Sequence, residues 1–138
     1  MVARANISLD LVNTCNVLKG QHILEVGCGG GILTEQLARL GAKVTGIDLS
    51  EELICVARDH LSKEADSKLR DRIEYKIEPL NVHVTDKINC YDAVVVSEVL
   101  EHIDDKIDLL TACVQCLKVF VCPFYVFFSS LYNVFFAI

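Results

Sequence analysis

The sequence predicts an α/β domain: a parallel sheet with helices on both faces, incomplete at its C-terminal side. Three observations predict it. Short apolar strand patterns alternate with helical ones from Gln21 to Leu117, and such alternation implies right-handed βαβ units. A glycine-rich turn at Gly27-Cys28-Gly29-Gly30-Gly31 stands between a strand and a helix. The run Tyr91 to Val96 is almost continuously apolar, as a strand buried on both faces should be.

Each element has its own warrant. Ile7, Leu11, Thr14, Cys15 and Leu18 recur at helical spacing. Gln21 to Val26 reads as a strand that ends at glycines. Ile32 to Leu40 reads as a helix, closed by Gly41 just past its end. Lys43 to Ile47 is a second strand. Ser50 is a good N-cap for a helix reaching about Leu61, with acids in its first turn. Arg72 to Ile77 and Tyr91 to Val96 are the third and fourth strands. Lys106 to Leu117 is a helix with Ile107, Leu110, Val114 and Leu117 on one side.

A chain of 138 residues holds one domain at most, and a domain of that size buries roughly two thirds of its unfolded surface. The formal charge of -6 excludes a nucleic-acid backbone as the main partner, since phosphate binding needs clustered Lys and Arg. The cysteines number 7 and are scattered except for Cys113-x-x-Cys116. That pair falls in a helical pattern with no second pair to complete a zinc site, so it reads as buried thiols in a reducing compartment. Residues 1–18 carry neither a signal-peptide core nor the Arg- and Ser-rich character of a transit peptide.

The composition changes at residue 118. Every charged residue lies at or before Lys118, and all 6 phenylalanines lie between Phe120 and Phe136. The reading is therefore a domain over 1–118 and an apolar aromatic tail over 119–138. Three readings of the tail compete. About 20 apolar residues can span a bilayer, although Pro123, Ser129, Ser130 and Asn133 weaken that. Val, Phe and Tyr favour a buried strand. The tail could also be foreign sequence joined to an interrupted reading frame. A sheet that stopped at the fourth strand would leave an unpaired edge. Phe120 to Phe128 is therefore expected to extend alongside Asp92 to Val96, with the remainder poorly packed and partly exposed.

The candidate site starts at the glycine loop. Glycine there permits positive φ in a tight turn and lets a ligand approach the backbone. Asp48 follows Gly27 by 21 residues, at the end of the second strand. A carboxylate there can accept hydrogen bonds from both ribose hydroxyls of an adenosine ligand. A dinucleotide fingerprint would place its third glycine at the position of Ile32; here the glycines are Gly27, Gly29 and Gly31, with Gly30 extra. That spacing, with Glu25 before it, resembles the first motif of S-adenosylmethionine-dependent methyltransferases. The alternatives are a dinucleotide site and a plain turn. Glu25 is expected to stabilise the loop rather than touch the ligand.

Beyond the fourth strand comes Ser97-Glu98-Val99-Leu100-Glu101-His102. In a helical turn Glu98, Glu101 and His102 share one face. They could hold a divalent ion, His102 could act alone as a general base, or the acids could simply favour a helix N-terminus.

Together, Leu24 to Gly31, Gly46-Ile47-Asp48 and Ser97 to His102 resemble the ubiquinone-biosynthesis O-methyltransferase family; Arg72 to Tyr75 and Tyr91 to Val95 are compatible with it. The similarity runs from about Arg4 to Lys118. It implies a Rossmann-like class I methyltransferase fold. It assigns Arg4, Gly27, Gly29, Asp48 and Ser97 to S-adenosylmethionine, and Glu98, Glu101 and His102 to Mg2+, with Glu98 and His102 as the catalytic pair. It further implies a polyprenylated phenolic substrate, a ubiquinone-biosynthesis complex and peripheral association with the matrix side of the mitochondrial inner membrane. The family continues after this helix with a Pro-Gly-Gly turn and further strands. Here Val119-Phe120-Val121-Cys122-Pro123 follows, so an incomplete, truncated chain lacking the upstream targeting segment is expected.

Overall fold

The computed structural model describes residues 18–97, 99, 102–119 and 125–129, with backbone alone for Ser97 and for 125–129. The strands are β1 (His22–Val26), β2 (Lys43–Asp48), β3 (Ile73–Ile77), β4 (Ala93–Ser97) and β5 (Tyr125–Ser129). The helices are α1 (Ile32–Arg39), α2 (Glu51–Ser62), α3 (Ser67–Arg70), α4 (Leu80–Asp86) and α5 (Lys106–Cys116). The strands form one sheet in the order β3-β2-β1-β4-β5, and every pairing is parallel.

Alternation along the strands explains why both faces are apolar. Successive side chains point to opposite sides. Leu24, Val26, Val94 and Val96 pack with Leu80, Val84, Leu109, Cys113 and Cys116 from α4 and α5. Ile23, Val44 and Val95 pack on the other side with Leu33, Leu37, Ala38 and Leu69 from α1 and α3. From β1 the chain steps to β2 and β3, then returns to β4 on the far side of β1. That reversal is the switch point where open α/β sheets bind ligands, beyond the carboxyl ends of the strands.

Capping sets the helix starts. Ser50 Oγ accepts from Leu53 N–H at 3.3 Å, as its sequence position predicts. Asp105 accepts from the N–H groups of Ile107 and Asp108 at 3.1 Å each. Two short helices escape the sequence reading: α3 starts at Asp66, which accepts from Lys68 N–H at 2.9 Å, and α4 starts after Pro79.

The inward face of α5 only partly follows the aliphatic stripe seen in the sequence. Ile107 and Val114 are 75% and 56% exposed, whereas Leu109, Cys113 and Cys116 are buried. Residues 109, 113 and 116 form an equally good helical stripe once the thiols count as small hydrophobes. Leu110 is partly buried against this cluster. Leu117 is buried too, but it bridges to Tyr91 rather than continuing the helix. Burial pushes the Cys113 and Cys116 thiols up to about 12 and about 11, so both stay protonated, as buried thiols should.

The apolar segment after residue 118 contributes a strand. Ala93 to Ser97 align with Tyr125 to Ser129, so β5 covers the edge that β4 would expose. This agrees with the strand reading, and a membrane-spanning helix through 125–129 is ruled out by the strand itself. Among the described residues no helix is long and apolar enough to cross a membrane. The expected helix over residues 7–18 lies almost wholly outside the described residues, as does the rest of the tail.

At the amino edge of the sheet Asp92 clamps two elements. Its carboxylate accepts from His22 N–H at 2.8 Å and from Lys118 Nζ at 2.7 Å. Burial alone would raise its pKa, but these two donors outweigh that and hold it below the ordinary carboxylate range. The His22 imidazole is shifted down, first by burial and then by Lys43 and Lys118, with Asp92 opposing. A histidine with a depressed folded pKa binds fewer protons folded than unfolded. Its contribution is therefore complete above about 6.5 and is lost as pH falls below that value. Urea unfolding at pH 7, 6 and 5 is expected to show falling stability, with a shallower fall in His22→Gln. An identical slope in the two proteins would refute this.

Candidate functional site

The site grows from the carboxyl ends of β1 and β2. Beyond Val26 the chain turns through Gly27, Gly29 and Gly31, with φ of 76°, 54° and 82°. The N–H groups of Gly27 and Cys28 donate to Ile47 O at 2.9 and 3.1 Å, which ties the loop to the end of β2. One residue further on, Asp48 Oδ2 accepts from Gly29 N–H at 2.9 Å and Oδ1 accepts from Ser50 N–H at 2.9 Å. The structure thus brings Gly27, Gly29 and Asp48 into one rim, as the sequence predicts. A carboxylate has about four acceptor positions, so two remain for a ligand's hydroxyl groups.

Beneath the loop lies a polar floor. Glu25 is 1% exposed and accepts from the Thr34 hydroxyl of α1, which fits the loop-stabilising role expected of it. Tyr75, from β3, donates its hydroxyl to Gly31 O at 3.4 Å. It lies opposite Gly46 in the β2–β3 register, and a Cβ on Gly46 would come within 2.9 Å of Cys28 Sγ and 3.1 Å of Tyr75 Cδ1. Burial pushes both titratable groups up, Cys28 with help from Glu25 and Asp48, and Tyr75 with help from Glu35. Both remain neutral at physiological pH, so Cys28 is packing here and not a nucleophile. The sequence reading missed Tyr75 and Thr34; the one available signal was an aromatic residue in a strand beside a glycine.

The other wall starts at β3. Ile77 pairs with Asp48, which puts Glu78 one step beyond the same edge. Its carboxylate pairs with His83 Nδ1, another contact absent from the sequence reading.

Beyond β4 the placement of predicted residues is mixed. Ser97 ends β4 at the carboxyl edge next to β1. His102 is exposed, and its N–H donates to Val99 O at 3.1 Å in a short turn. Arg4, Glu98 and Glu101 lie outside the described residues. Among the described residues no group of three His, Cys, Asp or Glu could hold a metal ion.

The family model described as methyltransferase domain matches residues 24–119. The mitochondrial ubiquinone biosynthesis O-methyltransferase of Mus musculus is 48% identical over 101 residues, 73% of this chain and 27% of that protein. The ubiquinone biosynthesis O-methyltransferase of Xanthomonas campestris pv. campestris is 39% identical over 112 residues, 81% of this chain and 45% of that protein. The chain therefore spans less than half the length of these curated relatives. Among solved structures, Haemonchus contortus phosphoethanolamine N-methyltransferase 2 in complex with S-adenosyl-L-methionine matches with a TM-score of 0.62 at 29% identity. That match covers 72% of this chain and 22% of that one.

Proposed function

Because the chain belongs to the methyltransferase-domain family, we propose that it binds S-adenosylmethionine at the carboxyl edge of β1 and β2. We further propose that it serves O-methylation in ubiquinone biosynthesis. The observation that carries the reading is the pair of hydrogen bonds closing Asp48 against Gly29 and Ser50. They fix the carboxylate beside the glycine loop, which supports assigning it to the ribose of the ligand. The names of the relatives supply O-methylation in ubiquinone biosynthesis; the substrate class, a phenolic hydroxyl of a polyprenylated hydroxybenzene, is what the family resemblance of the sequence implies.

In this reading Gly27, Gly29, Asp48 and Ser97 hold the cofactor, and the resemblance adds Arg4 to them. The phenolate oxygen attacks the sulfonium methyl in line; an O–C bond forms, the C–S bond breaks, and S-adenosylhomocysteine leaves. Most of the rate comes from orienting the two reactants. His102 takes the phenol proton as general base, with Glu98 beside it as the second catalytic residue. The donor set of Glu98, Glu101 and His102, two carboxylates and an imidazole, suits Mg2+, which would lower the pKa of a bound phenol. Mitochondrial location belongs to the same proposal and leans on the mouse relative's name; the matrix side of the inner membrane and a ubiquinone-biosynthesis complex are proposed from the family resemblance of the sequence.

Titration with S-adenosylhomocysteine, followed by turnover of a soluble catechol, tests it. Glu98→Gln and EDTA are each expected to cut turnover by about 100-fold or more, the low end of what a positioned acid–base group contributes, with S-adenosylhomocysteine affinity unchanged. Metal-independent turnover would remove Mg2+ from the proposal. Cofactor binding without any turnover would favour a second reading, a cofactor-binding protein associated with a membrane or complex. The uncharged apolar segment 119–138 motivates that reading.

A further inference from the structure

Under α4, on the face of the sheet away from the glycine loop's floor, three polar side chains meet inside an otherwise apolar cluster. His83 is 2% exposed and Tyr91 is 1% exposed, and they sit among Leu80, Val84, Val94 and Leu109. His83 Nε2 lies 2.8 Å from Tyr91 Oη, and His83 Nδ1 pairs with Glu78 Oε1. Polar groups in such a place cost free energy unless each finds a partner.

The proton positions follow from chemistry. Burial holds Tyr91 up at about 12, so its phenol keeps its proton. The carboxylate at Nδ1 can only accept, so Nδ1–H donates to Glu78; Nε2 of the neutral ring is then the acceptor, the Tyr91 O–H donates to it, and the Tyr91 oxygen is left to accept from Thr45. The imidazole is a bridge with a fixed tautomer. The carboxylate end of this bridge is the informative one. Glu78 directly follows Ile77, which pairs with Asp48. It sits on the cofactor rim, one strand over from the acid assigned to the ribose, with its side chain 27% exposed.

We propose that His83 and Tyr91 are positioning residues for cofactor binding: they anchor Glu78 from the core and so fix the turn between β3 and α4 as a wall of the crevice. The inference rests on the S-adenosylmethionine reading and names what makes that wall rigid. Without the bridge, Glu78 is free to turn toward solvent or toward Asp48, a like charge. The crevice must then be re-formed each time ligand binds, and preorganisation is lost.

The test is a double-mutant cycle on the full chain, read as S-adenosylhomocysteine affinity by calorimetry. His83→Leu and Glu78→Gln are each expected to weaken binding on the order of tenfold, the size of one charge-assisted hydrogen bond. The double variant is expected to bind no more weakly than the worse single one. Additive effects, or folded single variants that bind like the parent, would overturn the proposal. If the parent itself fails to bind, the cofactor reading falls and this inference with it. A measurement on the unmodified chain guards against variants that do not fold. The ring-nitrogen NMR spectrum of His83 is expected to show one tautomer, protonated at Nδ1, with resonances that move on adding S-adenosylhomocysteine. Averaged tautomers, or resonances indifferent to the ligand, would overturn the bridge directly.

Discussion

Gly31→Ala is expected to lower the unfolding free energy by about 2–6 kcal/mol, a large share of the roughly 5–15 kcal/mol that keeps an ordinary domain folded. Two independent costs add. The residue has φ of 82°, a conformation that costs a residue with a Cβ about 1–3 kcal/mol. The new methyl group also has nowhere to go. It would stand 2.2 Å from Tyr75 Oη, 2.8 Å from Tyr75 Cζ and 3.1 Å from Ala57 Cβ. Overpacking of this kind costs typically 1–3 kcal/mol. Removing the hydroxyl separates the two costs. In a Tyr75→Phe background the closest contact disappears while the ring carbon and the backbone strain remain. The penalty should fall but not vanish. Urea denaturation of the four proteins gives the answer. A change below about 1 kcal/mol for Gly31→Ala in the parent would mean that loop and ring move apart easily.

The same clash shows what the sequence could and could not reveal. Gly27, Gly29 and Asp48 were legible because their roles are local: a turn needing positive φ, and an acid at a strand end a fixed distance along the chain. Strands β1, β2 and β4 were legible because burial on both faces leaves a largely apolar run, and β3 because apolar residues alternate with charged ones along it. Tyr75 under Gly31 was not legible, because two residues 44 apart meet only once β3 pairs with β2. His83 was hidden for a related reason. A histidine in a short helix reads as a surface residue until the fold brings Glu78 and Tyr91 to its two nitrogens. On α5 the sequence was informative but ambiguous. Two stripes fit the helical period, and the aliphatic one lost to Leu109, Cys113 and Cys116 because packing rewards fit more than hydrophobicity class. The 119–138 segment was half legible. Its composition suits a strand, and 125–129 is one, but composition alone left two other readings open.

Asp48→Ala is expected to weaken S-adenosylhomocysteine binding about 100-fold or more. Each hydrogen bond to a charged acceptor contributes about 1.5–3 kcal/mol, and a ribose offers two, so at least about 3 kcal/mol is lost, at tenfold per 1.4 kcal/mol. The variant also strips the Gly29 and Ser50 N–H groups of their acceptor, which loosens the loop as well as removing the contact. Helix α2 itself should survive, because its cap is the Ser50 hydroxyl on Leu53 N–H and not Asp48. Asp48→Asn separates the two effects. The amide oxygen can keep one backbone donor in place, but the charge and one acceptor oxygen are gone, so a loss on the order of tenfold is expected. Calorimetric titration of the three proteins, each checked for a cooperative unfolding transition, ranks them as parent, then Asn, then Ala. A folded Asp48→Ala that binds S-adenosylhomocysteine like the parent would show that the carboxylate does not hold the ribose. The two hydrogen bonds to Gly29 and Ser50 would then describe loop architecture only, and the cofactor would have to be sought elsewhere on the carboxyl edge of the sheet.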